Sequence, residues 1–271
     1  MFYSPLRYPG GKSSLASLFD RIIIKNNLEN VTYVEPYAGG AGASLSLLMC
    51  NKVGQIIIND LDKAIYSFWK SAIFNSDKFI EKINSTSVDI KQWYKQKKNY
   101  RDKNSSELDL GFATFFLNRT NRSGIIEGGP IGGLGQKGKW KIDARFNKNN
   151  LIERIRKIAL YKNKIKVSRF DGIDLIKRIK KINNVFVYLD PPYYEKGSSL
   201  YLNHYIDKDH RKLSNFLNSN LDLNWLLTYD DVSSIRNLYK DRRMKEFPIN
   251  YSAHTKKVGS EIMIFSDSLI N

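Results

Sequence analysis

Three short segments of this 271-residue chain set acidic, aromatic and glycine residues just where apolar runs stop. Asp190-Pro191-Pro192-Tyr193 follows the apolar run 186–189. Two successive prolines continue neither a helix nor a central strand, so they hold the chain in an extended turn past a buried strand. That stiffness aims the Asp190 carboxylate and the Pro191 carbonyl at one point, with the Tyr193 ring beside them. An exocyclic amine of a nucleobase suits such an arrangement: its two hydrogens meet two acceptors while the ring stacks on the base. The same string also serves as a rigid strand exit and nothing more.

Glu35-Pro36-Tyr37-Ala38-Gly39-Gly40-Ala41-Gly42 closes one strand and opens a helix, and its glycines admit a ligand close to the backbone. It is not a dinucleotide fingerprint, because Leu45 occupies the third glycine position. Glu35, with Asp60 at the end of the next strand, suits a ligand carrying a cationic amine and a ribose diol, and repels a phosphate. Arg7-Tyr8-Pro9-Gly10-Gly11-Lys12-Ser13 matches the end of a phosphate-loop pattern, but Leu6 stands at the earlier glycine position and no strand precedes it. An NTPase site is excluded. Gly10 and Gly11 remain candidates for a ligand floor, with Lys12 available to pair with Asp190 or with a carboxylate of the ligand. The scattered His204, His210 and His254 and the lone Cys50 predict neither a metal site nor a nucleophilic dyad.

Strand ends of this kind need a sheet behind them. The pattern predicts strands over 31–37, 55–59, 165–170 and 185–189, with later ones over 225–228 and 261–265, and helices over 42–51, 63–74 and 173–181. That order is the βαβ signature of a parallel sheet, which binds ligands beyond the carboxyl ends of its strands. It breaks between about 75 and 160, where helices over 91–103 and 108–118 lead into a loop holding 7 of the 17 glycines between Asn121 and Trp140. The charge is equally localised. Of a net +17, residues 91–170 supply fourteen through 20 basic and 6 acidic side chains. Clustered charge is the footprint of a polyanion partner, and equally of a lysine-rich solvated coat. The apolar runs are too short to span a bilayer, residues 1–12 carry no export signal, and one cysteine fits a reducing, cytoplasmic compartment.

In combination and order these motifs resemble the Dam-type DNA adenine-N6 methyltransferases that use S-adenosyl-L-methionine. Tyr8-Pro9-Gly10-Gly11-Lys12, Val34 to Gly39, Asn59-Asp60 and, after an insert, Asp190-Pro191-Pro192-Tyr193 give the order of that group's alpha arrangement. Leu227-Thr228-Tyr229-Asp230-Asp231 resembles its strand exit after the catalytic loop, and Ser260-Glu261-Ile262-Met263-Ile264 its closing strand. The resemblance implies an α/β fold: a Rossmann-like methyltransferase sheet with helices on both faces, and an inserted, mainly helical target-recognition domain with a glycine-rich hairpin or loop. The catalytic domain would span 1–74 and 161–271, the insert 75–160. Tyr8, Lys12, Asp60 and Asp190 fall on cofactor-contacting positions, with Pro9, Gly10 and Gly11 in the same element. Glu35 and Gly39 face the methionyl portion, and Asp171 meets the cofactor's adenine or, alternatively, caps a helix. Arg119, Arg122, Lys137, Lys139, Lys141 and Arg145 form the expected phosphate or base-edge contacts with double-stranded DNA. The insert does not reproduce the recognition hairpin of the GATC-methylating enzymes, so no GATC target is inferred.

The expected activity is site-specific adenine-N6 methylation of duplex DNA, either alone or beside a cognate restriction endonuclease acting on the same site. Two rival readings stay in view. One is methylation of another amine, on RNA or on a protein glutamine, which Asp190 and the insert oppose. The other is a DNA-binding specificity module with a degenerate cofactor site, opposed by the intact Lys12, Asp60 and Asp190.

Overall fold

Alternation along the strands divides the hydrophobic core in two. In the computed structural model, which describes residues 3–7, 12–195, 205–220, 222–251 and 257–270, seven strands form one sheet in the order β3-β2-β1-β4-β5-β7-β6. These are β1 (Thr32–Glu35), β2 (Gln55–Asn59), β3 (Ile165–Ser168), β4 (Val185–Leu189), β5 (Asn224–Asp230), β6 (Arg243–Tyr251) and β7 (Lys257–Phe265). Tyr33, Ile56, Ile58, Phe186, Tyr188 and Leu226 point to one face; Val34, Ile57, Val187, Leu189, Trp225 and Leu227 point to the other. Successive side chains on a strand alternate in this way, so a central strand buried on both faces reads as a continuous apolar run. β1 and β4, at the middle of the sheet, are buried at every position.

The first face is covered by α1 (Ala16–Lys25), α2 (Gly42–Met49) and α3 (Lys63–Phe74), and the second by α8 (Gly172–Ile179), α9 (Asp207–Asn218) and α10 (Ser233–Leu238). β1 to β5 pair in parallel. β7 is antiparallel to both β5 and β6, so the sheet is mixed rather than parallel throughout. The reversal is β7's, and β6, absent from the expected strands, closes the edge of the sheet beyond that strand. It mixes charged and apolar residues without a clean period, so a sequence pattern passes over it. The other predicted strands stand, trimmed or extended by a few residues at their ends, where assignments are least firm.

Between β2 and β3 the chain forms α4 (Ser76–Ser85), α5 (Ile90–Arg101), α6 (Glu107–Thr120) and α7 (Lys148–Leu160). α6 is apolar nearly all round, which demands burial on every side, and it lies between α3 and α5. Phe115 stacks on Phe68 of α3 with ring centroids 5.9 Å apart, and Phe79, Phe112, Phe116 and Phe146 close around the pair. These helices thus share one hydrophobic cluster with the first face of the sheet. Among the described residues, no helix is long and apolar enough to cross a membrane.

Candidate active site and DNA face

Beyond the carboxyl ends of β1, β2, β3 and β4 lies a cavity of about 630 Å³. Its floor is acidic. Asp60, one residue past β2, accepts hydrogen bonds from the backbone N–H of Gly39 (2.9 Å) and of Asp62 (3.0 Å). Burial, reinforced by the Asp62 carboxylate, pushes its pKa up to about 7. Glu35, the last residue of β1, is buried and accepts from the Ser44 N–H at 3.0 Å and from the Tyr33 hydroxyl at 3.1 Å. Burial outweighs those bonds and raises its pKa to about 7. Asp171 caps α8 through the Ile173 N–H at 3.0 Å. It also lines the cavity, next to the exposed ring of Phe170. The two readings of Asp171 are therefore compatible.

Asp190, immediately after β4, is held from three sides. Its Oδ1 accepts from Thr228 Oγ1 (2.8 Å), Lys12 Nζ (3.1 Å) and Tyr193 OH (3.2 Å), whereas among the described residues Oδ2 accepts only from Lys12, at 3.1 Å. Lys12 is itself buried; it donates to Tyr193 OH at 2.8 Å and pairs with Glu261 at 3.5 Å. The loop behind Asp190 is clamped by Asp230, whose two oxygens accept from the backbone N–H groups of Tyr194 and Glu195, both at 2.9 Å. β5 and β7 are antiparallel neighbours with Asp230 opposite Glu261, which brings the residues that hold Lys12 and the loop to one spot.

The opposite wall is basic, and it comes from the insert and the N-terminal segment. Arg7, Arg119 and Arg154 line the cavity. Each guanidinium donates to a backbone carbonyl: Arg7 to Asn121 at 3.0 Å, Arg119 to Arg145 at 2.7 Å, Arg154 to Ser4 at 2.8 Å. None of the three forms an ion pair among the described residues. Burial first, then the like charges of Arg7, Arg154 and Arg145, lowers the pKa of Arg119. Asn118 locks the two segments together, accepting from the Arg7 N–H (2.7 Å) and donating to the Arg7 carbonyl (2.8 Å). At Gly124, φ is +78° and an added Cβ would lie 2.2 Å from that same carbonyl, so only glycine permits the approach.

Of the residues singled out by sequence, the cavity gathers Lys12, Glu35, Gly39, Asp60, Asp171, Asp190 and Arg119, with Pro192 at its edge. Pro191 is buried. Tyr193 departs from the expectation. Its ring is 6% exposed, carries Lys12 Nζ 5.2 Å from its centroid and does not line the cavity, because its hydroxyl is drawn into the Lys12 and Asp190 network. In this conformation it braces the lysine and offers no face to a base. Arg122, Lys137, Lys139, Lys141 and Arg145 are exposed outside the cavity. Tyr8, Pro9, Gly10 and Gly11 lie outside the described residues. Sequence reasoning misses Thr228, Glu261, Arg7 and Arg154 as site residues. The first two stand in segments that resemble strands of the methyltransferase group, and a threonine or glutamate within such an apolar strand is the signal that marks them.

A family model described as D12 class N6 adenine-specific DNA methyltransferase matches residues 8–257. No curated protein matches the chain in sequence. Among solved structures, the rRNA methyltransferase aviRa from Streptomyces viridochromogenes, determined at 2.4 Å, aligns over 96% of this chain and 87% of its own, at 13% identity and a TM-score of 0.41.

Proposed function

Because the chain belongs to the D12 class of N6 adenine-specific DNA methyltransferases, we propose that its cavity receives S-adenosyl-L-methionine on the acidic floor and a flipped-out adenine of duplex DNA in front of Asp190. The residues present fit that cofactor. Asp60, whose oxygens are anchored by backbone N–H groups, keeps lone pairs for a ribose diol; Glu35 and Gly39 meet the methionyl end; Asp171 and Phe170 flank the adenine end. When bound, the cofactor supplies the methyl group. What the chain contributes is aim. Positioning of this kind removes much of the entropic barrier to a reaction between two bound groups.

Asp190 Oδ2 accepts one hydrogen of the adenine N6 amine and the Pro191 carbonyl the other, which draws the nitrogen lone pair out of conjugation with the ring. Lys12 and Thr228 hold the Asp190 carboxylate in place while the nitrogen gains positive charge. As it does so, the amine proton becomes acidic and leaves without a dedicated base. The basic wall takes the phosphates flanking the flipped nucleotide, since extruding a base carries its backbone toward the pocket mouth. Double-stranded DNA is then the partner of the insert over 75–160, and any cognate endonuclease would share its site.

The observation that carries this reading is the single carboxylate oxygen of Asp190 left with spare lone pairs at the wall of a cavity whose floor is acidic. Long-read detection of N6-methyladenine in DNA from cells expressing the chain tests it. One sequence context should carry the mark. Asp190→Ala should abolish it, by more than about 10³-fold in turnover, while DNA affinity stays within about twofold. Unmarked DNA with the unaltered chain, or turnover retained by Asp190→Ala, would overturn it.

A further inference from the structure

Four tryptophans divide sharply by environment. Trp69, Trp93 and Trp225 are at most 3% exposed, whereas Trp140 is 66% exposed. It stands in the glycine-rich stretch between Pro130 and Ile142, with Leu134, 54% exposed, in the same stretch. No acidic residue occurs between Glu127 and Asp143, while Lys137, Lys139 and Lys141 surround the indole in sequence. Lys139 Nζ lies 5.8 Å from the ring centroid.

The stretch is pinned in shape. Gln136 donates to the carbonyls of Ile131 (2.8 Å) and Gly133 (2.6 Å), accepts from the Ile142 N–H (2.8 Å), and its carbonyl takes Lys141 Nζ at 2.6 Å. At Gly132, φ is +84° and a Cβ would meet the Trp140 carbonyl at 2.6 Å, so the backbone crosses there only because the residue is glycine. The root of the stretch is tied to the cavity rim: Arg122 donates its N–H to the Gly129 carbonyl at 3.0 Å, and Gly124 to Glu127 line the cavity. A preorganised loop thus holds a large apolar ring in water, with Lys139 near its face, on a segment rooted at the cavity rim. Scattered exposed aromatics need no explanation, but an indole set among lysines on a fixed scaffold matches the stacking platforms with which proteins hold nucleobases.

We propose that Trp140 is a base-contacting residue of the DNA face: on binding, its indole leaves water for the face of a nucleobase near the target adenine, while Lys137, Lys139 and Lys141 neutralise the surrounding phosphates. This rests on the reading of the insert as the DNA-binding element. The test is tryptophan fluorescence of the full chain with acrylamide as quencher, titrated with sheared double-stranded DNA free of methyladenine. In the free protein the acrylamide-quenchable tryptophan emission should come mainly from Trp140, the exposed one of the four. Saturation with DNA should cut its acrylamide accessibility at least threefold. Trp140→Phe should abolish that optical change and keep affinity within about threefold, whereas Trp140→Ala should weaken DNA binding about tenfold and leave S-adenosyl-L-methionine binding unchanged, which certifies the fold. Salt-sensitive DNA binding with Trp140 still fully quenchable, or full affinity in Trp140→Ala, would overturn the proposal alone. Absence of any DNA binding would overturn the DNA-face reading with it.

Discussion

The two ends of the cavity are built on opposite electrostatic plans. On the floor, Glu35, Asp60 and Asp171 each sit at a strand end or helix start and are held by backbone N–H groups. On the facing wall, Arg7, Arg119 and Arg154 come from segments far apart in the chain and are held by backbone carbonyls. Floor charges are local and rigid. Wall charges depend on tertiary contacts and meet no carboxylate among the described residues. A carboxylate set in this way favours a cationic ligand already shaped to the site, and an unneutralised guanidinium cluster favours an anion brought in from outside. Where the two plans meet stands Lys12, the buried cation that pairs with both Asp190 and Glu261.

Removing that cation is the strongest way to break the contrast. Lys12→Met takes from Glu261, 1% exposed, and from Asp190, 20% exposed, the cation they share. Stripping one partner from a buried pair costs about 3–5 kcal/mol, and the residual exposure of Asp190 points to the lower end. Urea unfolding of the ligand-free protein should show a loss of about 3 kcal/mol. A loss below about 1 kcal/mol would mean that the two carboxylates relax apart and that Lys12 is dispensable to the framework.

The wall is tested next. Arg119→Gln with Arg154→Gln should weaken DNA binding about tenfold near physiological salt and lower the slope of log affinity against log salt by about 0.9 for each phosphate no longer neutralised. Cofactor affinity should stay put. If the pair of substitutions instead weakened cofactor binding and spared DNA, the wall would be serving the carboxylate of the cofactor, and the division of the cavity into two poles would fail.

The floor carries a pH dependence of about tenfold. Glu35 and Asp60 titrate at about 7 in the folded chain, far above the ordinary carboxylate range. Between about pH 4 and 7 the native state therefore holds more protons than the unfolded state, so the stability of the ligand-free protein falls as pH rises through that window. Affinity for the cationic cofactor moves the other way, rising as these groups ionise. Calorimetry at about pH 6.5 in two buffers of different ionisation heat should report proton release on binding. A flat affinity from about pH 5.5 to 8.5 would show the floor already ionised.

The same contrast governs what could be read from sequence. Floor residues announce themselves because the motif and the contact coincide: Asp60 bonds Gly39 of the adjoining loop, and Asp190 follows its strand directly. Of the wall only Arg119 is legible in advance, since nothing near Arg7 or Arg154 says that Asn118 will draw the N-terminal segment onto the insert. Tyr193 shows the same limit within a motif. Its position past Pro192 is legible, but the side to which its ring turns depends on where Lys12 lies, 181 residues away. The antiparallel direction of β7 escapes for a related reason, because it depends on which strands lie beside it and not on strand composition.

Thr228 gives the finest test of how the floor aims Asp190. The residue is fully buried in β5, donates to Asp190 Oδ1 at 2.8 Å and shares a hydrogen bond with the Tyr188 hydroxyl at 2.8 Å. With Lys12 and Tyr193 also on Oδ1, the threonine helps commit that oxygen to the protein and leaves Oδ2 for the amine of the proposed substrate. Thr228→Val keeps the shape and removes the hydroxyl. Losing that hydrogen bond should let the carboxylate turn out of line, which lowers kcat about fivefold with KM unchanged, and Thr228→Ser, which keeps the hydroxyl, should restore kcat. Packing alone would lower stability and leave Thr228→Ser no more active than Thr228→Val. A kcat that Thr228→Ser fails to restore would therefore assign Thr228 to the core, and the orientation of Asp190 would rest on Lys12 and Tyr193.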